Sequence, residues 1–174
     1  LRATQQSEAT DPGIRVDGVL TLEFDLATSG YASERAVPTA ERLLEAARSL
    51  PGISDGALAA VVPLTLSSMS LGNIQGEGLP PDGLYPDTNV VSPGFTRVLD
   101  IPLRGRDFNS GDAAGRPPVA IINRHLAGQI FGEADPIGRR FSYGDDDQRR
   151  ERTVVGVLED SSYASIGEAQ RGYL

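Results

Sequence analysis

Between Val19 and Leu26 the chain alternates cleanly, with Leu20, Leu22, Phe24 and Leu26 on one side and Thr21, Glu23 and Asp25 on the other. A period of two predicts a strand with one buried face. Ser29-Gly30 ends it, and the period then changes. Ala40, Leu43, Leu44, Ala47 and Leu50 recur at helical spacing, which predicts a helix from Ala40 to Leu50. It can begin as early as Ser33 with Pro38 in its first turns, and Pro51-Gly52 is its stop. Ala57–Val62 is apolar on both faces, as a central strand is. Strand, helix and strand in this order describe a β-α-β unit, whole or split.

The following 17 residues, "SSMSLGNIQGEGLPPDG", read as a loop with one short edge strand, and "LYPDTNVV" as a weaker strand. Ser92 then offers a helix cap and Pro93 a first helical residue, with Phe95, Val98 and Leu99 sharing a face. Asp100 and Pro102 close that turn. Val119–Asn123 is a buried strand, and Asn123 caps a helix from Arg124 to Phe131 that turns Leu126, Ala127, Ile130 and Phe131 inward. Gly132 ends it. "PIGRRFSYG" and "RTVVGVLED" predict two strands around the acidic loop Asp145–Asp147. Residues 1–13 read as a flexible leader.

A chain of 174 residues can bury a core in one domain, or in one domain with a small lobe. No apolar run approaches the ~18 residues of a membrane span. Net charge is −8, with all 16 basic residues arginine, and residues 1–87 hold 12 acids against 5 of those arginines. No basic stripe is available to repay phosphate contacts, which argues against nucleic-acid binding. With no cysteine, thiolate metal sites, thiol nucleophiles and disulfides are excluded.

Candidates for chemistry are few. His125, the single histidine, lies just inside a helix start beside Arg124, with no nucleophile elbow to serve. Zinc needs about three close ligands, which one histidine without cysteine does not supply. Asp145, Asp146 and Asp147 lack the calcium-loop pattern and read as a solvated turn balanced by Arg149, Arg150 and Arg152. Gly72, Gly76 and Gly78 match neither the phosphate-loop nor the dinucleotide spacing. Arg104 and Arg106 could clamp an anion, but Asp100, Asp107 and Asp112 are nearer partners. Glu23 and Asp25 belong to a solvated strand face. The expectation is therefore no catalytic, cofactor-binding or metal residue, and no cofactor.

The order of blocks is more specific than any residue. "V-S-P-G-F" (92–95 with Val91), "G-R-D-F" (105–108), "V-A-I-I-N" (119–123), "D-P-I-G-R-R" (135–140) and "V-V-G-V" (154–157) follow one another in a spacing that resembles the MacB-like periplasmic core domain of FtsX/MacB-type ABC-transporter permeases, the duplicated-permease subtype. The resemblance covers Val19 to Leu174. It implies an α+β, two-lobed domain on the extracytoplasmic side of the bacterial membrane. Residues 14–104 would form a β-α-β membrane-proximal lobe, and 105–174 a β-rich projecting lobe with one helix. It further implies a non-enzymatic role, passing movement of membrane helices, driven by an ATPase subunit, to a periplasmic adaptor or cargo protein.

In that family a further strand and helix follow the position of Leu174. Without them a sheet edge or helix face would be uncovered, which favours self-association. A second expectation is a small-molecule or peptide sensor whose ligand sits between the lobes, lined by Leu71–Pro86 and Arg104–Asp107.

Overall fold

The structure is a computed structural model that describes residues 11–174 apart from 27, 29, 32, 71, 113–114, 145–148 and 163–170. Its elements are helix α1 (Ser33–Arg48), strand β1 (Ile74–Gln75), helix α2 (Phe95–Val98), strand β2 (Leu103–Gly105), a 3-10 turn (Ser110–Asp112), strand β3 (Val119–Asn123), helix α3 (Arg124–Phe131), strand β4 (Arg140–Tyr143) and strand β5 (Arg150–Leu158). The class is α+β, as the residue pattern and block order imply.

One five-stranded sheet organises the molecule. β5 is its spine: antiparallel to β4 and to β2, and parallel to β3, with a register shift between Ala120 and Ile121. β1 extends the sheet beyond β4. Strands therefore reach this sheet from both sides of residue 104. Apolar alternation sets its faces, since Phe141 and Tyr143 turn inward while Arg140 stays exposed. With Ile74, Ile122, Leu126 and Val154 they form the main core, the last four 0–1% exposed. Phe131 meets Phe141 edge-on at 6.5 Å between ring centres.

Gly105 and Gly156 are register partners in the β2–β5 pair. A Cβ on Gly105, whose φ is +97°, would lie 2.5 Å from the Val155 carbonyl oxygen. A Cβ on Gly156 would meet Leu103 Cδ1 at 2.7 Å. Both positions need glycine because backbone passes where a side chain would stand.

A second core joins Ile14, Phe95, Leu99 and Ile101 to partly buried Val19, Ala57, Ala59, Val91 and Leu158. Here the structure departs from the sequence pattern. Leu20–Leu26 is not a strand: Leu20 is 83% and Leu22 81% exposed. Alternation makes a segment fit for a sheet, but a ladder also needs a neighbouring strand, and none of the described residues lies alongside. Nor is Ala57–Val62 a central strand. It runs antiparallel to 89–92 through a single bridge, Ala59 to Val91. The Asn89 amide replaces ladder bonds there, binding both the Val61 N–H and the Val61 carbonyl, and Ser92 Oγ takes the Leu58 N–H.

With Ser92 so engaged it does not cap α2. Gly94, at φ +90°, occupies that position, and the Asp107 carboxylate accepts from the Gly94 N–H at 3.1 Å and the Thr96 hydroxyl at 3.0 Å. Phe95 and Leu99 still pack inward, as their shared face predicts. At α3 the predicted cap is present, with Asn123 Oδ1 accepting from the Leu126 N–H at 3.1 Å.

Candidate functional site

The residues that the sequence offers for chemistry are dispersed. Arg106 makes a two-pronged pair with Asp112, at 2.7 and 2.9 Å, which holds the Asp112 carboxyl below the usual carboxylate range. Arg104 reaches Asp135 instead of a near neighbour, at 3.0 Å, because Asp107 is occupied with α2 and Asp100 lies 3.2 Å from Arg15. The two arginines thus do not form an anion clamp. Asp55 is held low by its hydrogen bond from Arg97 and by the Gly56 N–H. Gly72, Gly76 and Gly78 fall in and beside a turn, with Leu79 N–H on the Gly76 carbonyl.

Glu23 and Asp25 are exposed, and the Asp25 carboxylate accepts from the Thr28 N–H. His125 is half-buried on a small recess of about 290 Å³ with Tyr85, Asp87, Gln129 and Arg171. Its backbone N–H binds Asp160. The Asp145–Asp147 turn lies outside the described residues. Arg149, expected to balance it, donates to Gln75 and Asn73. Among the described residues no group of three or more His, Cys, Asp or Glu converges, and no helix is long and apolar enough to cross a membrane.

The larger concavity is a cleft of about 770 Å³ between α1 and the sheet. Val37, Ala40 and Glu41 line it from α1, the 88–93 segment and Phe95 from a second side, and β3 with Tyr143, Arg152 and Leu158 from the sheet. The residues expected to line a ligand site, Leu71–Pro86 and Arg104–Asp107, are not on the walls of this cleft. The former pack onto β4 through Ile74 and the latter are taken up by β2 and its ion pairs.

Arg152 is the residue that sequence reading missed. As one of three arginines after an acidic turn, it read as a surface counter-charge. In the fold its guanidinium lies 4.6 Å from the centre of the Tyr143 ring. Nη1 donates to the Tyr143 and Arg150 carbonyls at 2.7 and 3.3 Å. Burial pulls its pKa below the usual arginine range. No carboxylate of the described residues pairs with it. Only the inward register of Tyr143 and the pairing of β4 with β5 could have signalled this, and neither is visible in spacing.

The chain is an α+β module built on one mixed sheet with an apolar cleft beside it. The model of the MacB-like periplasmic core domain matches residues 6–173, so the chain belongs to that family and is the extracytoplasmic domain of a MacB-like ABC-transporter permease. Its fold is similar to the periplasmic region of MacB from Actinobacillus actinomycetemcomitans, at 18% identity and a TM-score of 0.50, covering 78% of this chain and 60% of that one. The extracellular domain of the noncanonic ABC-type transporter YknZ from Gram-positive bacteria matches at 20% identity and a TM-score of 0.49, over 76% of this chain and 60% of that one. The chain thus spans about 60% of the length of these solved relatives. No curated protein matches it.

Proposed function

We propose that this domain is a non-enzymatic relay, passing movement of the parent permease's membrane helices to a periplasmic adaptor or cargo protein. Its partners in this reading are those helices and the ATPase subunit that drives them. The working division is a membrane-proximal lobe, 14–104, and a projecting lobe, 105–174. The observation that carries the reading is the family match over nearly the whole chain.

The packing is compatible with it. The β3–β5 sheet is densely buried, whereas none of the described side chains of α1 is fully buried and the helix is tied down near its C-terminal end. There Arg48 donates to the Gly56 carbonyl at 2.7 Å. A stiff body joined to a lightly held helix can turn a push at one end into a rotation.

The test uses the full-length permease with its ATPase. This domain has no cysteine, so once any cysteines of the remaining permease and the ATPase are replaced, Arg42→Cys on α1 and Gln129→Cys on α3 can be spin-labelled as a pair. Electron–electron distance measurements should show a different distribution with ATP bound than without nucleotide. One unchanged distribution across nucleotide states, in a preparation that hydrolyses ATP, overturns the relay.

A further inference from the structure

The cleft between α1 and the sheet has a chemistry that the relay role does not use. Its walls are mainly apolar: Val37 and Ala40 on one side, Leu58, Val90, Val91 and Ile121 on the others. At about 770 Å³ it falls within the ~300–1,000 Å³ typical of sites for small organic ligands. Val90, 60% exposed, has a large apolar surface facing water.

On this apolar lining sits one cation, Arg152, that no carboxylate of the described residues neutralises. Arg152 is partly buried over the Tyr143 ring, and both of its hydrogen bonds run from Nη1 to neutral carbonyls. Desolvating a guanidinium without a carboxylate is unfavourable, and an arriving anion relieves that cost. Nη2 and Nε make no hydrogen bond to the described residues, and together they present the fork that binds carboxylate or phosphate two-pronged. Elsewhere Arg15, Arg48, Arg97, Arg104, Arg106, Arg124, Arg140 and Arg171 pair with carboxylates, Arg35, Arg42, Arg116 and Arg139 are exposed to water, and Arg149 donates to the Gln75 and Asn73 side chains.

Two side-chain carboxylates also line the cleft. Asp112 is neutralised by Arg106, and Glu41 lies exposed on α1, where water and salt screen it. The interior therefore favours negative charge near Arg152 and hydrocarbon elsewhere.

We propose that the cleft binds a single-chain amphiphile with an anionic headgroup, the headgroup on Arg152 and the chain along Leu58, Val90 and Val91. Fatty-acid carboxylates and alkyl phosphates share this chemistry.

The test is calorimetric titration of the 174-residue chain with laurate, dodecyl phosphate and the neutral dodecyl glucoside, each below its critical micelle concentration. Both anions should bind saturably at one site per chain, at least tenfold more tightly than the glucoside. Which anion binds more tightly separates a carboxylate source from a phosphate source. Arg152→Gln should weaken the anions about tenfold and leave the glucoside unchanged. Val90→Trp, at an exposed position that tolerates a larger side chain, should abolish binding of all three by filling the cleft.

Absence of saturable binding to the native chain, equal binding of neutral and anionic amphiphiles, or an Arg152→Gln chain that binds the anions as before overturns the proposal. So does a chain that sediments as a dimer and excludes all three probes, because a second copy would then be the occupant. Should Arg152→Gln fail to fold, by far-ultraviolet circular dichroism, Val90→Trp together with the anion preference of the native chain decides.

Discussion

Replacing Asn123 with alanine should be the most costly polar substitution in the sheet. The residue is 3% exposed, and its side chain makes four hydrogen bonds. Oδ1 accepts from the Leu126 N–H at 3.1 Å, capping α3, and from the Tyr173 N–H at 2.9 Å. Nδ2 donates to Asp160 Oδ1 at 2.7 Å and to the Arg171 carbonyl at 2.8 Å. Loss of an N-cap costs about 1 kcal/mol. Leaving the buried Tyr173 N–H without its side-chain acceptor adds roughly 1–3 kcal/mol. Taking the lower part of that range and a little for the two lost donations gives about 3 kcal/mol. For a chain of this size that lowers Tm by about 6–12 °C. Urea unfolding followed by circular dichroism, with Asn123→Ser as companion, measures it. Serine keeps an acceptor for the cap alone and should recover about 1 kcal/mol. A loss below about 1 kcal/mol for the alanine chain would refute the reasoning, since it would mean that water or a shifted C-terminal segment takes over the bonds.

Phe95, 8% exposed in the second core, should cost about 3–5 kcal/mol on truncation to alanine, read by the same unfolding assay. Gly105→Ala should prevent β2 from pairing, because its new Cβ would overlap the Val155 carbonyl at a left-handed φ; loss of amide protection at Arg104 and Arg106, whose N–H groups face β5, checks this in hydrogen exchange. Arg106 holds the Asp112 pKa down in the folded chain. A depressed carboxylate stabilises the fold above its unfolded pKa, and that contribution disappears as pH falls through the folded value. Stability should therefore drop on acidification below about pH 4, and Asp112→Asn should flatten that slope. The amides of Leu20, Leu22 and Phe24 should exchange far faster than those of Val154 and Val157.

Local signals were legible where an element satisfies itself. Helix α3 carries its own cap, stripe and stop, so Asn123, Leu126 and Gly132 announce it. Strands β3, β4 and β5 were readable because β3 and β4 each pair with the nearby β5 and their apolar faces all meet one core. Leu20–Leu26 failed for the opposite reason. Its pattern is as clean as any in the chain, yet pairing is a property of two segments, and periodicity reports on one. Ala57–Val62 failed because Asn89 and Ser92 compete for its backbone, a contest that hydropathy does not register. At the candidate site the apolar walls could be listed residue by residue but not assembled. Arg152 became visible only when Tyr143 was placed beneath it. Family-level block order was the one long-range signal, and it gave class and location without any wall of the cleft.

The contrast between the two cores bears on how a relay could work. A domain stiff throughout would move as one body and carry motion only by its attachment. A domain soft throughout would dissipate it. Here Ile122, Leu126 and Val154, each fully buried, make the sheet the rigid part. The smaller core around Phe95 adjoins it where Leu158 packs against that cluster and where the Asp107 carboxylate accepts from the Gly94 N–H and the Thr96 hydroxyl. The cleft opens at this same seam, with Phe95 and Leu158 among its walls. Under the proposed relay, a ligand held there touches both sides of the seam. Its binding would favour whichever arrangement brings Val90 and α1 closest to Arg152, by no more than its difference in affinity for the two arrangements. Amphiphile binding and α1 movement are then one equilibrium observed at two places, and a chain filled by Val90→Trp should lose the nucleotide-dependent distance change along with the ligand.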